Sequence, residues 1–412
     1  MEHRLLIVSV FIITYILITV QRIPGLRIDR PSGVTIGSTL LLLTGLVTVR
    51  EAYSFVDWDV ITFLLGMMVI IAYLEFSGFF EHTALWLVRI SRSTNQLLAA
   101  TIAVCALLSA FFVNDTVCLL FTPILLKATS YLRLNPLPYL IAIATASNIG
   151  SALTITGNPQ NMYIGVQSGM AFLKFIGVMT VPVVVGLMAD YAVIRWLFRK
   201  DIHNRPLTPV AIDEIPPLKK RLMIKTLIVL GGVLILFISG TGYPLAVLAG
   251  MSVIFLIGRV PPREVLVNVN WTILLFFAGL FVVMGAFEKA GYMTSILSFT
   301  SKYFMDNSLA SHLGLACITA FLSNIVSNVP AVILIQPVGS HFGYSDSFWL
   351  LLAMASTFAG NLTLIGSVAN LIVAEKASSM HIDMGFMDYL KAGLPVTLIT
   401  LIFGTWWLYV IL

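Results

Sequence analysis

The chain has 412 residues, 58% of them hydrophobic and only 10% charged, with a mean hydropathy of +0.97. A soluble domain of this length carries roughly a quarter charged residues, so a soluble enzyme is excluded. The net charge of +5 is accounted for by membrane orientation and calls for no nucleic-acid partner.

Apolar runs able to cross a ~30 Å hydrocarbon core recur along the whole chain. The run after Met1-Glu2-His3-Arg4 lacks a small-residue cleavage pattern and reads as a first span, 4–21. Spans follow at 33–49 and 57–76. The amphipathic stretch Phe79–Arg92, with Phe79, Leu85, Trp86 and Val88 apolar, reads as an interfacial helix. An interrupted pair then occupies 96–128, a broken span 136–166, and a further span 172–196. Residues 201–218 hold Pro206, Pro209, Pro216 and Pro217 among mixed charges, which marks a cytoplasmic linker. The second series comprises spans 222–239, 243–259 and 271–288, an interrupted pair 311–339, a broken span 347–374, and a last span 390–411.

The two series match each other. At a shift of 213, Arg50-Glu51 falls on Arg263-Glu264, Trp58 on Trp271, Gly66 on Gly279 and Glu75 on Glu288. At 214, Ser109 falls on Ser323, Asn114 on Asn328 and Pro123 on Pro337. At 209, Ser147 falls on Ser356, Thr154 on Thr363, Gly157 on Gly366 and Asn161 on Asn370. Matches in constant order indicate an internal repeat, 1–200 and 219–412. If each interrupted pair is a re-entrant hairpin, each half has an odd number of crossings and the second half is upside down. With the 195–225 loop in the cytoplasm, 19 of the 24 Lys and Arg lie on that side, Arg22, Arg27 and Arg30 among them; only Arg4, Arg50, Lys174, Lys289 and Lys302 lie opposite. The expected fold is therefore an all-α polytopic membrane protein with two inverted-topology repeats. It has about ten transmembrane helices plus two re-entrant hairpins. Scaffold helices occupy 4–76 and 222–288, and both termini are expected outside.

Two polar runs, Phe112-Val113-Asn114-Asp115-Thr116 and Thr154-Ile155-Thr156-Gly157-Asn158-Pro159-Gln160-Asn161, interrupt apolar sequence. Backbone broken at membrane depth is tolerated only inside protein or against a wet cavity, and paired interruptions are the mark of a transporter binding site. Asn114, Asp115 and Thr116 offer an amide, a carboxylate and a hydroxyl. These are oxygen ligands for Na⁺ (at Asn114 and Thr116), or a proton site if Asp115 titrates. A carboxylate here is functional by default, because burying it costs at least ~2.5 kcal/mol. The second-half copy, Ser327-Asn328-Val329-Pro330, keeps the amide but loses carboxylate and hydroxyl; Ser323-Asn324 compensates or packs.

Asn158-Pro159 marks a helix boundary, and the half-helix that starts there aims free N–H groups into the gap. Substrate-binding candidates are Asn114, Thr116, Asn148, Thr154, Gly157, Asn158 and Asn161, with Asn328, Thr363, Gly366, Ser367 and Asn370 from the second copy. Asp115, Asn114, Thr116 and Gly157 are candidates for ion or proton coupling. Neither motif holds an Arg or Lys, which favours a neutral or weakly charged hydroxylated solute. Asp190 and Arg195 read as an interfacial charge pair, and Glu75 and Glu288 as scaffold positions at span ends. Cys105, Cys118 and Cys317 form no metal or disulfide pattern; Cys118 reads as a small buried side chain.

These motifs resemble the ArsB/NhaD branch of the ion transporter superfamily, which includes arsenite permeases and plant silicon-efflux transporters, and more remotely the sodium-coupled di- and tricarboxylate transporters. The resemblance rests on Asn114-Asp115-Thr116 through Thr122-Pro123, on Ala146-Ser147-Asn148-Ile149-Gly150-Ser151 through Gly157-Asn158-Pro159-Gln160-Asn161, and on the weaker second copy. It implies homodimers and an elevator motion of a hairpin-bearing domain against a scaffold. It places Asn114 and Thr116 in the first cation-site hairpin, Gly157-Asn158-Pro159 in the unwound span, and Asn328 and Gly366 in the second copies. Val329 and Pro330 depart from that pattern and weigh against a second sodium site.

The expected function is secondary active, proton-coupled efflux of a small inorganic oxyacid (arsenite, antimonite or silicic acid) through a cell membrane, with Asp115 as proton carrier. A Na⁺/H⁺ antiporter, a Na⁺-coupled carboxylate symporter and a passive channel are the alternatives. The sequence has no H-E-x-x-H, nucleophile elbow or Walker motif. An enzyme is therefore not expected, nor any cofactor beyond H⁺ or Na⁺. A separate ATPase subunit could still dock on the basic 195–225 loop.

Overall fold

A computed structural model describes residues 2–19, 29–207, 216–292, 297 and 308–412. Arg22, Arg27, Lys302 and the 208–215 part of the linker lie outside the described residues.

The first half comprises α1 (Glu2–Thr19), α2 (Arg30–Leu43), α3 (Val49–Phe55), α4 (Trp58–Phe76), α5 (Phe79–Ile90), α6 (Thr94–Phe111), α7 (Asn114–Tyr131), α8 (Leu137–Ser151), α9 (Pro159–Ser168) and α10 (Phe172–Leu197). The second comprises α11 (Lys220–Ile238), α12 (Tyr243–Ile257), α13 (Pro262–Leu266), α14 (Trp271–Lys289), α15 (Leu309–Val326), α16 (Asn328–Ile335), a 3-10 turn (Gln336–Phe342), α17 (Asp346–Ala359), α18 (Val368–Ser379) and α19 (Phe386–Ile411). Among the described residues, seven helices are long and apolar enough to cross a membrane: α4, α6, α10, α11, α14, α15 and α19. The others fall short of that length or apolarity, several because polar breaks cut them.

Local chemistry sets the boundaries. The 33–49 run does not form one span: α2 stops at Leu43 and Gly45 turns with φ +68°. Thr48 then caps the separate short α3 through a reciprocal box with Glu51. Both this helix and α13 escaped the sequence reading. Asp57 and Asn270 cap α4 and α14 in the same way, accepting from the N–H three residues on. In α5 the buried face is Phe80, Ala84, Leu85, Leu87 and Val88, whereas Trp86 is exposed. The described part of the linker is tied down: Thr94 N–H donates to Arg205 O (3.1 Å) and Leu207 N–H to Arg92 O (2.9 Å).

Packing crosses between the halves. Helix α2 lies on α14, while α12 lies on α4; α9 lies on α17, while α8 lies on α18. The α6–α8 contact is extensive because Gly150 lets the backbones meet; a Cβ there would lie 2.2 Å from Ala106 O. The long α10 packs against α19, and each has a proline within its helix, Pro182 and Pro395.

Candidate functional site

Four helices begin at breaks. Phe112 and Val113 are extended between α6 and α7, and the Asn114 N–H bonds Gly157 O at 3.2 Å. Asn114, Asp115 and Thr116 therefore sit in the first turn of α7 and not in unwound backbone. Asn158 caps α9, its Oδ1 accepting from Asn161 N–H at 2.8 Å, and Pro159 supplies the preset first turn. Ser367 caps α18, accepting from Ala369 N–H at 3.3 Å. Between α15 and α16, Ser327 stands at φ +82°, ψ 161°, a region that costs a non-glycine residue about 1–3 kcal/mol. Its hydroxyl is held by Arg30 Nη1 at 3.0 Å.

The first turns of all four helices line one cavity of about 220 Å³: Asn114 and Asp115, Pro159 and Gln160, Asn328 and Val329, Ser367 and Val368. Asp29, Arg30 and Asn270 close it from the ends of α2 and α14. A smaller chamber of about 50 Å³ adjoins it and is lined by Asp115, Thr116 and Glu75. Each helix N-terminus carries roughly half a positive charge and unpaired N–H donors. Four of them with a guanidinium, facing the carboxylates of Asp29 and Asp115, make a site suited to an oxyanion or to an oxyacid rich in hydroxyls.

Behind the cavity lies a cluster of amides. Asn148 is saturated: its Oδ1 accepts from Asn114 Nδ2 (3.0 Å) and from the Ser367 hydroxyl (3.1 Å). Its Nδ2 donates to Asn361 Oδ1 (2.9 Å) and Asn370 Oδ1 (3.0 Å). Asn158 Nδ2 donates to the Thr357 hydroxyl at 3.2 Å. Thus each capping residue bonds across to the other half, Asn158 to Thr357 and Ser367 to Asn148.

The candidate residues separate into two groups. Asn114, Asp115, Thr116, Asn328 and Ser367 line the cavity or its chamber. The others hold the breaks closed. Thr154 donates to Ala110 O, and Thr363 to Asn324 Oδ1. Asn161 Nδ2 and Asn370 Nδ2 tie down loop carbonyls. Gly157 admits no Cβ, which would lie 2.2 Å from Ser151 O, and at Gly366 a Cβ would lie 2.6 Å from Asn324 Oδ1 and displace that amide. Cys118 is buried against the Ser147 hydroxyl at 3.0 Å, away from the cavity.

Two sequence readings need correction, those of Arg30 and of the Asp190–Arg195 pair. Arg30, counted as a loop cation, lines the cavity, so the site does hold an arginine. Glu75 lines the side chamber, while its counterpart Glu288 is exposed. Asp190 and Arg195 are not a pair: Asp190 is fully buried in α10 and Arg195 is exposed. Gln160, Asn270 and Ser327 were missed as lining residues; the helix-start positions of Gln160 and Asn270 were the available signal.

An all-helical bundle whose helices break around a cavity lined by their N-termini fits an integral membrane transporter. The chain belongs to the CitMHS citrate transporter family, whose profile matches residues 13–343, in agreement with its resemblance to the ArsB/NhaD branch. It is 30% identical to the "46 kDa membrane protein" of Mycobacterium leprae, over 96% of this chain and 95% of that protein. It is 26% identical to the silicon efflux transporter LSI3 of Oryza sativa subsp. japonica, over 96% of this chain and 95% of that one. The YdaH transporter of Alcanivorax borkumensis shares the fold, with a TM-score of 0.61 at 17% identity, covering 100% of this chain and 98% of that one.

Proposed function

We infer that the chain is a secondary active transporter that moves a small oxyacid or its anion through the membrane in exchange for protons. The observation that carries this reading is the convergence of four helix N-termini and Arg30 on one cavity that also contains Asp115. The N–H groups and the guanidinium bind oxygens, while the lone carboxyl in the first turn of α7 takes up or releases the coupling proton. In this reading Asn114, Asn328, Gln160 and Ser367 contact solute, and the saturated amide cluster keeps the half-helices in register. Arsenite, antimonite and silicic acid fit a cavity of this size, and the name of the rice relative supports efflux.

The matched positions and the reciprocal bonds Asn158–Thr357 and Ser367–Asn148 support two repeats, and the bias of Lys and Arg toward one side supports their inversion with both termini outside. They are compatible with an elevator movement of α6–α9 and α15–α18 against a scaffold in a homodimer. A second reading is a Na⁺-coupled carboxylate symporter, favoured by Arg30 in the cavity and by the family's citrate transporters; Asn114 and Thr116 would then hold the sodium. Uptake into proteoliposomes after separate pH and Na⁺ jumps, with arsenite, silicic acid and citrate in parallel, tests the choice. Proton-driven flux of an inorganic oxyacid without sodium supports the first reading. Sodium-dependent citrate flux overturns it.

A further inference from the structure

One ionisable group in the membrane region stands apart from the cavity. Asp190, in the C-terminal third of α10, is fully buried, and both its carboxylate oxygens lack a hydrogen-bond partner. The side-chain ion pairs among the described residues join Lys174 to Asp346, Lys289 to Glu51 and Lys391 to Asp388, and none reaches it. Its neighbours sharpen the point. The Thr145 hydroxyl of α8 lies beside the carboxyl but spends its hydrogen on Ile141 O at 2.8 Å. Only lone pairs are left to face Asp190. A hydroxyl in that state accepts and does not donate, so the carboxyl can bond it only by carrying the proton itself. From α19, the Tyr389 hydroxyl is buried beside the Asn370 side chain and within electrostatic range of Asp190.

We propose that Asp190 is a second proton-binding site inside the membrane, loaded and unloaded in step with the amide cluster behind the solute cavity. The route between them is short in chemical terms. Tyr389 lies within electrostatic range of Asp190 and beside Asn370, Asn370 accepts from Asn148, and Asn148 accepts from Asn114, next to Asp115. Asn361 Nδ2 also donates to Thr145 O at 3.2 Å, joining the same cluster to the α8 wall of the site. An ionised carboxylate in this apolar interior is unfavourable without a counter-charge. Among the described residues, the titratable groups in electrostatic range of Tyr389 are Asp190 and Cys118 of α7, with Cys105 of α6 near Cys118, and none of these is a cation. When the cluster rearranges and water or a cation gains access, the carboxyl releases its proton; when the cluster closes, it takes one up. The step is a proton transfer only, with no redox partner.

The proposal rests on the proton-coupled reading of the cavity, so the test separates the two. Full-length wild type, D190N, D190E, Y389F and D115N are purified and reconstituted in lipid. Infrared difference spectra recorded across a pH titration, with no solute present, report carboxyl protonation directly. The expected result is a protonated-carboxyl band that titrates in wild type and D115N and is missing in D190N. The band returns at a shifted frequency in D190E, and its midpoint moves in Y389F. With solute added, D190N is expected to lose most of its solute-driven proton flux while downhill solute movement persists. A D190N spectrum identical to wild type overturns the site, and undiminished proton flux per solute in D190N overturns its exchange. Wild-type solute flux with no proton movement would instead sink the coupling reading, while a band lost in D190N would still establish the proton site.

Discussion

Asn161 and Asn370 make the same two hydrogen bonds at the same two offsets. Asn161 Nδ2 donates to the carbonyls of Ser151 (3.1 Å) and Thr154 (3.0 Å), ten and seven residues back. Asn370 Nδ2 donates to those of Gly360 (2.7 Å) and Thr363 (3.1 Å), again ten and seven back. In each half one amide in the first turn of the second half-helix reaches over the break and satisfies carbonyls that the interrupted helix has freed. Orphaned carbonyls at membrane depth find no water, so these amides make a broken helix tolerable there.

Asn148 is where the two breaks are tied together, and its amide is fully used. Replacing it with alanine strands the Asn114 and Ser367 donors and the Asn361 and Asn370 acceptors, at about 1–3 kcal/mol for each buried group left unpaired. N148A is expected to lose both transport and thermal stability in detergent. A variant melting within a degree or two of wild type would show that the cluster is slack.

Gly150 sets the spacing of α6 and α8. A methyl at this position would meet the Ala106 backbone, which has no side chain to move aside, so G150A is expected to cost about 1–3 kcal/mol by overpacking. The check is the melting temperature of the purified protein beside G177A, a glycine with open space around it, which should be unaffected.

Arg30 distinguishes ionised from neutral solutes. Hydrogen bonds to charged groups contribute about 1.5–3 kcal/mol, so R30Q should raise the KM for a carboxylate by roughly tenfold or more. Silicic acid, uncharged near neutral pH, should change far less. Equal losses for both solutes would assign Arg30 to holding Ser327 in its strained conformation and not to recognition.

How much of this was readable in the sequence depends on how local each signal is. The breaks announce themselves because Asn-Pro, glycine and clustered amides disfavour continuous helix wherever they occur, and the matching halves show as constant offsets. Arg30 and Asp190 were misread for one shared reason: their surroundings come from distant elements. Arg30 reads as one more loop cation until α2 docks on α14. Asp190 and Arg195 are close in sequence, but a five-residue separation puts them on different faces of a helix, since only neighbours three or four apart meet. The small helices α3 and α13 are too short to show a period, and only the Thr48–Glu51 capping box betrays the first.

The central claim is that the carboxyl of Asp115, ringed by helix N-termini, carries the proton that drives transport. The direct measurement is solute flux in proteoliposomes under an imposed pH gradient, comparing wild type with D115N, an uncharged isostere. Accumulation against a solute gradient should disappear in D115N, leaving only pH-insensitive exchange by a stable protein. Undiminished, still pH-driven accumulation in D115N would contradict the account.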